Sequence, residues 1–126
     1  MAQDFRELKV WQKAIDLTVL IYKLTETFPK SEPYGLTSQM RRASVSVASN
    51  IAEGRGQVNG GEFRQFLNIA RGSTCELLTQ VHVARALSFG ANRALDEAEL
   101  RSNEVSKMLL SFMRTLSDPT RSLARS

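Results

Sequence analysis

The segment YGLTSQMRRASVSVASNIAEGRG, residues 34–56, limits the possible folds most, because small side chains dominate a stretch with helical spacing. Its apolar residues recur every three or four positions, as in an amphipathic helix. The inward-facing line is Leu36, Met40, Ala43, Val47 and Ile51. Because Ala and Ser project little beyond the backbone, a neighbouring helix can pack close to it. We predict a tightly packed helix over residues 34–53 that ends at Gly54.

Three further segments have helical spacing. They are expected over residues 5–27, from Asn59 to residue 87, and from Asp96 to residue 117. Asn59 with Glu62, and Asp96 with Glu99, have the spacing of a capping box at a helix start. No segment favours a strand. We therefore predict an all-α, antiparallel up-and-down four-helix bundle over residues 1–117, followed by a flexible tail over residues 118–126.

The first helix carries more apolar surface than one core face requires. One stripe of residues faces the core: Val10, Ala14, Leu17, Ile21, Leu24 and Phe28. A second stripe lies beside it: Leu8, Trp11, Ile15, Val19 and Tyr22. Together they cover roughly 220° of the helix, whereas a core face needs about 100°. The second stripe is a candidate oligomer interface; the alternative is a helix buried on two sides within one bundle.

Composition excludes several classes of protein. With 126 residues and 42% hydrophobic side chains, the chain is long and apolar enough for one globular domain. A single cysteine cannot form an internal disulfide or a cysteine-rich zinc site. No apolar run approaches the ~18 residues of a membrane span. We expect a cytoplasmic protein with no membrane contact.

No catalytic or metal-binding motif is found. His82 is the single histidine, and Cys75 precedes it by seven residues. On a helix the two lie about 10.5 Å apart, too far for a nucleophile and its base. We expect a protein that is not an enzyme and has no metal or cofactor.

Arginines are concentrated in the middle of the chain. Residues 37–71 contain five arginines and two glutamates, whereas residues 92–104 contain two arginines and four acidic residues. The net charge is +4. The candidate nucleic-acid-binding residues are Arg41, Arg42, Arg55, Arg64, Arg71 and Arg85. Two interpretations remain open: a phosphate-binding surface, or arginines paired with acidic residues within or between subunits.

Four stretches of sequence resemble a known family. They are FRELKVWQKAIDL, residues 22–29, EPYGLTSQMRRASVSVASNIAEG and EFRQFLNIARGSTCELLTQ. They resemble the "four helix bundle protein" family, which includes proteins encoded in intervening sequences of bacterial large-subunit ribosomal RNA genes. The accessory variability determinant of diversity-generating retroelements is a relative. The resemblance covers about residues 5–81, and Ala48 stands where the family often has proline.

The resemblance implies a four-helix bundle that assembles into a ring-like homopentamer. For the retroelement relatives it also implies binding to a reverse transcriptase and to nucleic acid through a basic surface. We therefore expect a non-enzymatic homo-oligomer that binds RNA or DNA phosphates, as an accessory to a nucleic-acid-processing protein. The alternative is a protein–protein scaffold with internally paired arginines and no nucleic-acid role.

Overall fold

Four α-helices make up most of the structure, a computed structural model that describes residues 4–30, 35–57 and 59–117. A 3-10 turn, Phe5–Glu7, comes first. The helices are α1 (Lys9–Thr25), α2 (Leu36–Arg55), α3 (Gly60–Ala86) and α4 (Asn92–Ser117). No strand occurs in the described ranges, so the all-α prediction is confirmed. The predicted tail, residues 118–126, lies outside them.

Neighbouring helices run antiparallel, as contacts at their ends show. Arg41, near the start of α2, donates to Thr25 at the end of α1. Arg85, near the end of α3, pairs with Asp96 near the start of α4. The end of α2 packs on the start of α3, and α4 returns beside α1. The bundle is therefore four-sided, in the order α1, α2, α3, α4.

The core lies along the centre of this bundle. Every predicted inward-facing residue of the first two helices is buried. The largest fully buried aliphatic and methionine side chains come from all four helices: Leu17, Ile21, Met40, Ile51, Leu67, Leu77, Leu95 and Leu109. The 3.6-residue periodicity therefore identified the inward-facing residues of the first two helices, whereas Leu95 and Met113 of α4 are buried core residues that were not predicted.

The two predicted capping boxes have different outcomes. Asn59 caps α3: the Glu62 backbone N–H donates to Asn59 Oδ1 at 2.8 Å, so this prediction is confirmed. The prediction that Asp96 starts the fourth helix is wrong. Helical hydrogen bonding begins five residues earlier, where the Leu95 N–H donates to the Ala91 carbonyl. Burial of Leu95 in the core accounts for the extra turn.

The first predicted helix is shorter than expected. Leu8 is extended (φ −72°, ψ 125°) and separates the 3-10 turn from α1, which ends at Thr25 rather than at residue 27. Asp4 caps the turn, since its carboxylate accepts from the backbone and the side chain of Arg6. The side-chain hydrogen bond from Arg6 lowers the pKa of Asp4 to about 2.

Gly54 lies inside α2 and does not end it, so the predicted C-terminal role is wrong. The helix continues to Arg55. A Cβ on Gly54 would lie 2.8 Å from the Phe66 Cβ, 2.9 Å from Phe63 Cδ1 and 3.2 Å from the Phe63 carbonyl oxygen. Glycine is therefore required here by the close approach of α3 and not by a helix end.

We expect Gly54→Ala to lower the free energy of unfolding by about 1–3 kcal/mol, because the new methyl group overlaps α3. Urea unfolding measures the change. Gly72→Ala is the matched control, since no atom lies within 4 Å of a Cβ at this position in α3. It should raise stability by about 0.5–1 kcal/mol through helix propensity alone. Equal stabilisation by both substitutions would contradict the close packing at Gly54.

Candidate interaction surfaces

An apolar surface, here called the α1–α2 face, extends along the outside of the first two helices. Its exposed members follow the second stripe of α1 and continue onto α2: Ile15, Val19, Tyr22 and Val45, which are 37% to 48% exposed. An open cavity of about 280 Å³ lies at one end of this face, between Trp11 and Ala52. Large apolar side chains at this exposure are typical of a surface that another molecule covers.

The remaining two predicted interface residues are less exposed. Trp11 is half-buried and packs edge-to-face on Phe5, with ring centroids 5.3 Å apart. Leu8 is buried in the core of the single chain and offers little surface to a partner. Its position follows from the extended backbone at Leu8, which takes this residue out of the helical register used for the prediction.

A second apolar surface, the α2–α3 face, was not predicted. Its exposed members are Ile69, Val83 and Leu87, which are 42% to 52% exposed. Val83 and Leu87 also line an open cavity of about 500 Å³ together with Leu36. The sequence signal was the fourteen-residue spacing of Ile69 and Val83, which places both on one side of α3. The exposed carboxylate of Glu76 lies midway between them.

Arg41 belongs to the α1–α2 face. Its Nε donates to Thr25 Oγ1 at 2.8 Å, and its guanidinium lies 4.6 Å from the Tyr22 ring centroid. These groups are at the C-terminal end of α1, where the helix dipole favours a cation. Within the described residues no carboxylate lies within ion-pair distance of Arg41, so its charge is not neutralised by an acid.

Arg85 is held by acidic side chains instead. Its Nη2 donates to Asp96 Oδ1 at 2.8 Å, and its Nη1 donates to Glu99 Oε1 at 2.9 Å. The hydrogen bond to Glu99, and then the one to Asp96, raise the pKa of Arg85 above its usual value. The two residues expected to cap the fourth helix thus join α3 to α4, and the ion-pair interpretation is correct for Arg85.

The other four candidate arginines occupy different places. Arg42 is exposed, and Arg71 is half-buried with a buried Nε that has no hydrogen-bond partner. In the described ranges neither has a carboxylate within 4.0 Å. Arg55 lies 5.7 Å from the Phe63 ring centroid, and Arg64 is exposed.

The six arginines are therefore distributed over several sides of the bundle. Arg41 contacts α1, whereas Arg85 contacts α4. Arg64 and Arg71 share the α4 side of α3 with Arg85, because seven residues are close to two helical turns. Arg64 and Arg71 lie two turns apart on that side of α3, whereas Asp96 and Glu99 hold Arg85.

His82 and Cys75 do not meet in a catalytic arrangement. Cys75 is exposed. His82 Nε2 lies 3.9 Å from Glu99 Oε1, and the ring is next to Arg85, so the histidine lies beside the ion-pair cluster of α3 and α4.

Among the residues with described positions, no three potential metal ligands come together. In the same part of the chain, no helix has the length and hydropathy needed to cross a membrane.

Comparisons with known proteins identify a family. The family model described as "23S rRNA-intervening sequence protein" matches residues 6–111. A crystal structure from Bacteroides thetaiotaomicron, described as a protein with unknown function from the S23 ribosomal protein family, superimposes with a TM-score of 0.75. Its sequence is 21% identical, and the match covers 83% of this chain and 98% of that one, which supports the fold. No curated protein matches the sequence.

We expect the Arg85–Glu99 pair to give a small but measurable stabilising coupling at low salt, since both side chains are partly exposed. A double-mutant cycle with Arg85→Gln and Glu99→Gln, followed by urea unfolding, measures this coupling. Added salt should weaken it by screening. The same cycle with Arg71→Gln in place of Arg85→Gln should give a coupling near zero. Absence of coupling between Arg85 and Glu99 at low salt would contradict the ion-pair assignment.

Proposed function

This chain belongs to the 23S rRNA-intervening sequence protein family, and we propose that it is a non-enzymatic, homo-oligomeric helical bundle. The observation that carries this proposal is the α1–α2 face, where four large apolar side chains remain well exposed in one chain. Covering them in an assembly removes apolar area from water, which stabilises association by about 25 cal/mol per Å² before the cost of binding is subtracted.

A ring-like homopentamer is the form of assembly that we propose, because the resemblance of the sequence to the four-helix bundle family implies it. The charge is compatible with a nucleic-acid role for such a ring. Each copy has a net charge of +4, and the copies repeat the same arginines around the assembly. Repetition strengthens the field that attracts a polyanion.

We further propose that the assembly binds RNA or DNA phosphates, as an accessory to a nucleic-acid-processing protein. Arg64 and Arg71 support this second function, since they lie about 10.5 Å apart on one side of α3. Arg71 has no carboxylate partner within the described residues, so it can donate to a phosphate without first breaking an ion pair. Such contacts are electrostatic and largely independent of base sequence.

The assembly proposal predicts that Val19→Glu converts the oligomer to a monomer, because a carboxylate would be buried at the contact. Multi-angle light scattering measures the mass, and circular dichroism checks that the bundle remains folded. Leu100→Glu on α4 is the control: Leu100 is 66% exposed, lies outside the α1–α2 face and should leave the mass unchanged. If the unmodified protein is monomeric at all concentrations, the proposal is wrong.

The phosphate-binding proposal predicts that Arg64→Glu combined with Arg71→Glu weakens binding to a structured RNA at least tenfold. The slope of log K against log salt should also decrease, by about 0.7–0.9 per lost phosphate contact. Arg85→Gln is the control, and we expect near-normal binding because Asp96 and Glu99 already hold this arginine. No binding by the unmodified protein at low salt, or an equal loss with Arg85→Gln, would contradict it.

A further inference from the structure

The α1–α2 face and the α2–α3 face are two different surfaces of the same chain. Each presents large aliphatic side chains to solvent, with Val19 on the first and Val83 on the second. An interface that uses one patch on both copies would cover a single face and leave the other exposed. A contact between unlike faces covers both, and contacts of this kind form rings when the rotation closes.

Charge distinguishes the two faces and makes them complementary. Arg41 lies over Tyr22 on the α1–α2 face, and Glu76 lies between Ile69 and Val83 on the α2–α3 face. Glu76 accepts a hydrogen bond from Gln80 but has no cation within 4.0 Å in the described part of the chain. Among the residues with described positions, Arg41 likewise has no carboxylate within 4.0 Å. Arg41 on the first face and Glu76 on the second therefore carry opposite charges that a contact between the faces could pair.

We infer that a second copy of this chain docks its α2–α3 face onto the α1–α2 face of the first, in a head-to-tail contact that pairs Arg41 with the partner copy's Glu76. This inference rests on the proposed homo-oligomer and specifies how its subunits meet. The two faces share α2, because this helix packs between α1 and α3. The small residues on the outside of α2, among them Ser49, leave room for neighbours on both sides.

The geometry of the bundle is compatible with a closed ring. Neighbouring faces of a four-sided antiparallel bundle are inclined at about 90°. When such faces meet head-to-tail, with the helices roughly parallel to the ring axis, an inclination of about 90° closes the ring after about four copies, and one of about 108° closes it after about five. In that arrangement α2 lies on the side nearest the axis, and the α4 side of α3, with Arg71, stays outside the contact.

A mixing experiment tests the inference. Val19→Glu disrupts the α1–α2 face and keeps the α2–α3 face, and Val83→Glu does the reverse. In a head-to-tail contact each variant alone is a monomer, whereas an equimolar mixture forms a 1:1 dimer, because one intact pair of faces remains. Leu100→Glu serves as the control and keeps the native mass. Light scattering measures all masses, with circular dichroism to check folding.

The outcomes separate this inference from the proposed function. If Val83→Glu keeps the native mass, or if two monomeric variants do not associate on mixing, the head-to-tail contact is overturned, while the homo-oligomer stands. If the unmodified chain is a monomer, both fail.

A second pair of variants avoids the apolar residues. Arg41→Glu and Glu76→Arg should each weaken assembly at least tenfold, and the variant that combines them should restore assembly to within about threefold of the unmodified protein. If the double variant assembles as weakly as the two single variants, the charge pairing is overturned.

Discussion

The close approach of α2 to α3 is the contact on which the rest of the bundle depends. At Gly54 the two helices leave no room for a methyl group, and further along the same pair the hydroxyls of Ser46 and Ser73 are 3.0 Å apart. Because small residues face α3, the helices approach closely and their larger side chains fill the core on the inner side. This packing determines where the outer surfaces of α2 lie relative to α1 and α3.

That position of α2 explains how architecture and interaction are connected. One side of α2 faces the core, and the two apolar faces lie on either side of its outer surface. The arginines also lie on different sides of the bundle. Arg41 is directed to the α1 side, and Arg85 is neutralised by α4. The arginines thus occupy several kinds of place: Arg41 packs at a helix end, Arg85 belongs to an ion-pair cluster, and Arg64 is exposed on α3.

The sequence predicted the core well because burial follows helical periodicity, and Asn59 with Glu62 formed the expected cap. It failed where a distant partner decides the outcome. Gly54 has the local signature of a helix end, yet Phe63 and Phe66 of α3 determine its role. Asp96 and Glu99 have cap spacing, but Arg85 binds them.

The candidate surfaces were predicted only in part. The surplus stripe of α1 contained the exposed residues Ile15, Val19 and Tyr22, since one helix carries all three. The α2–α3 face was missed because polar residues, among them Glu76, separate Ile69 from Val83, and because the exposure of both depends on how α2 packs. Hydroxyl-radical footprinting of the unmodified protein tests the central claim most directly by comparing two leucines. If copies cover both faces, Leu87 should oxidise far more slowly than Leu100, whereas rates that follow the 52% and 66% exposures of the single chain would contradict the account.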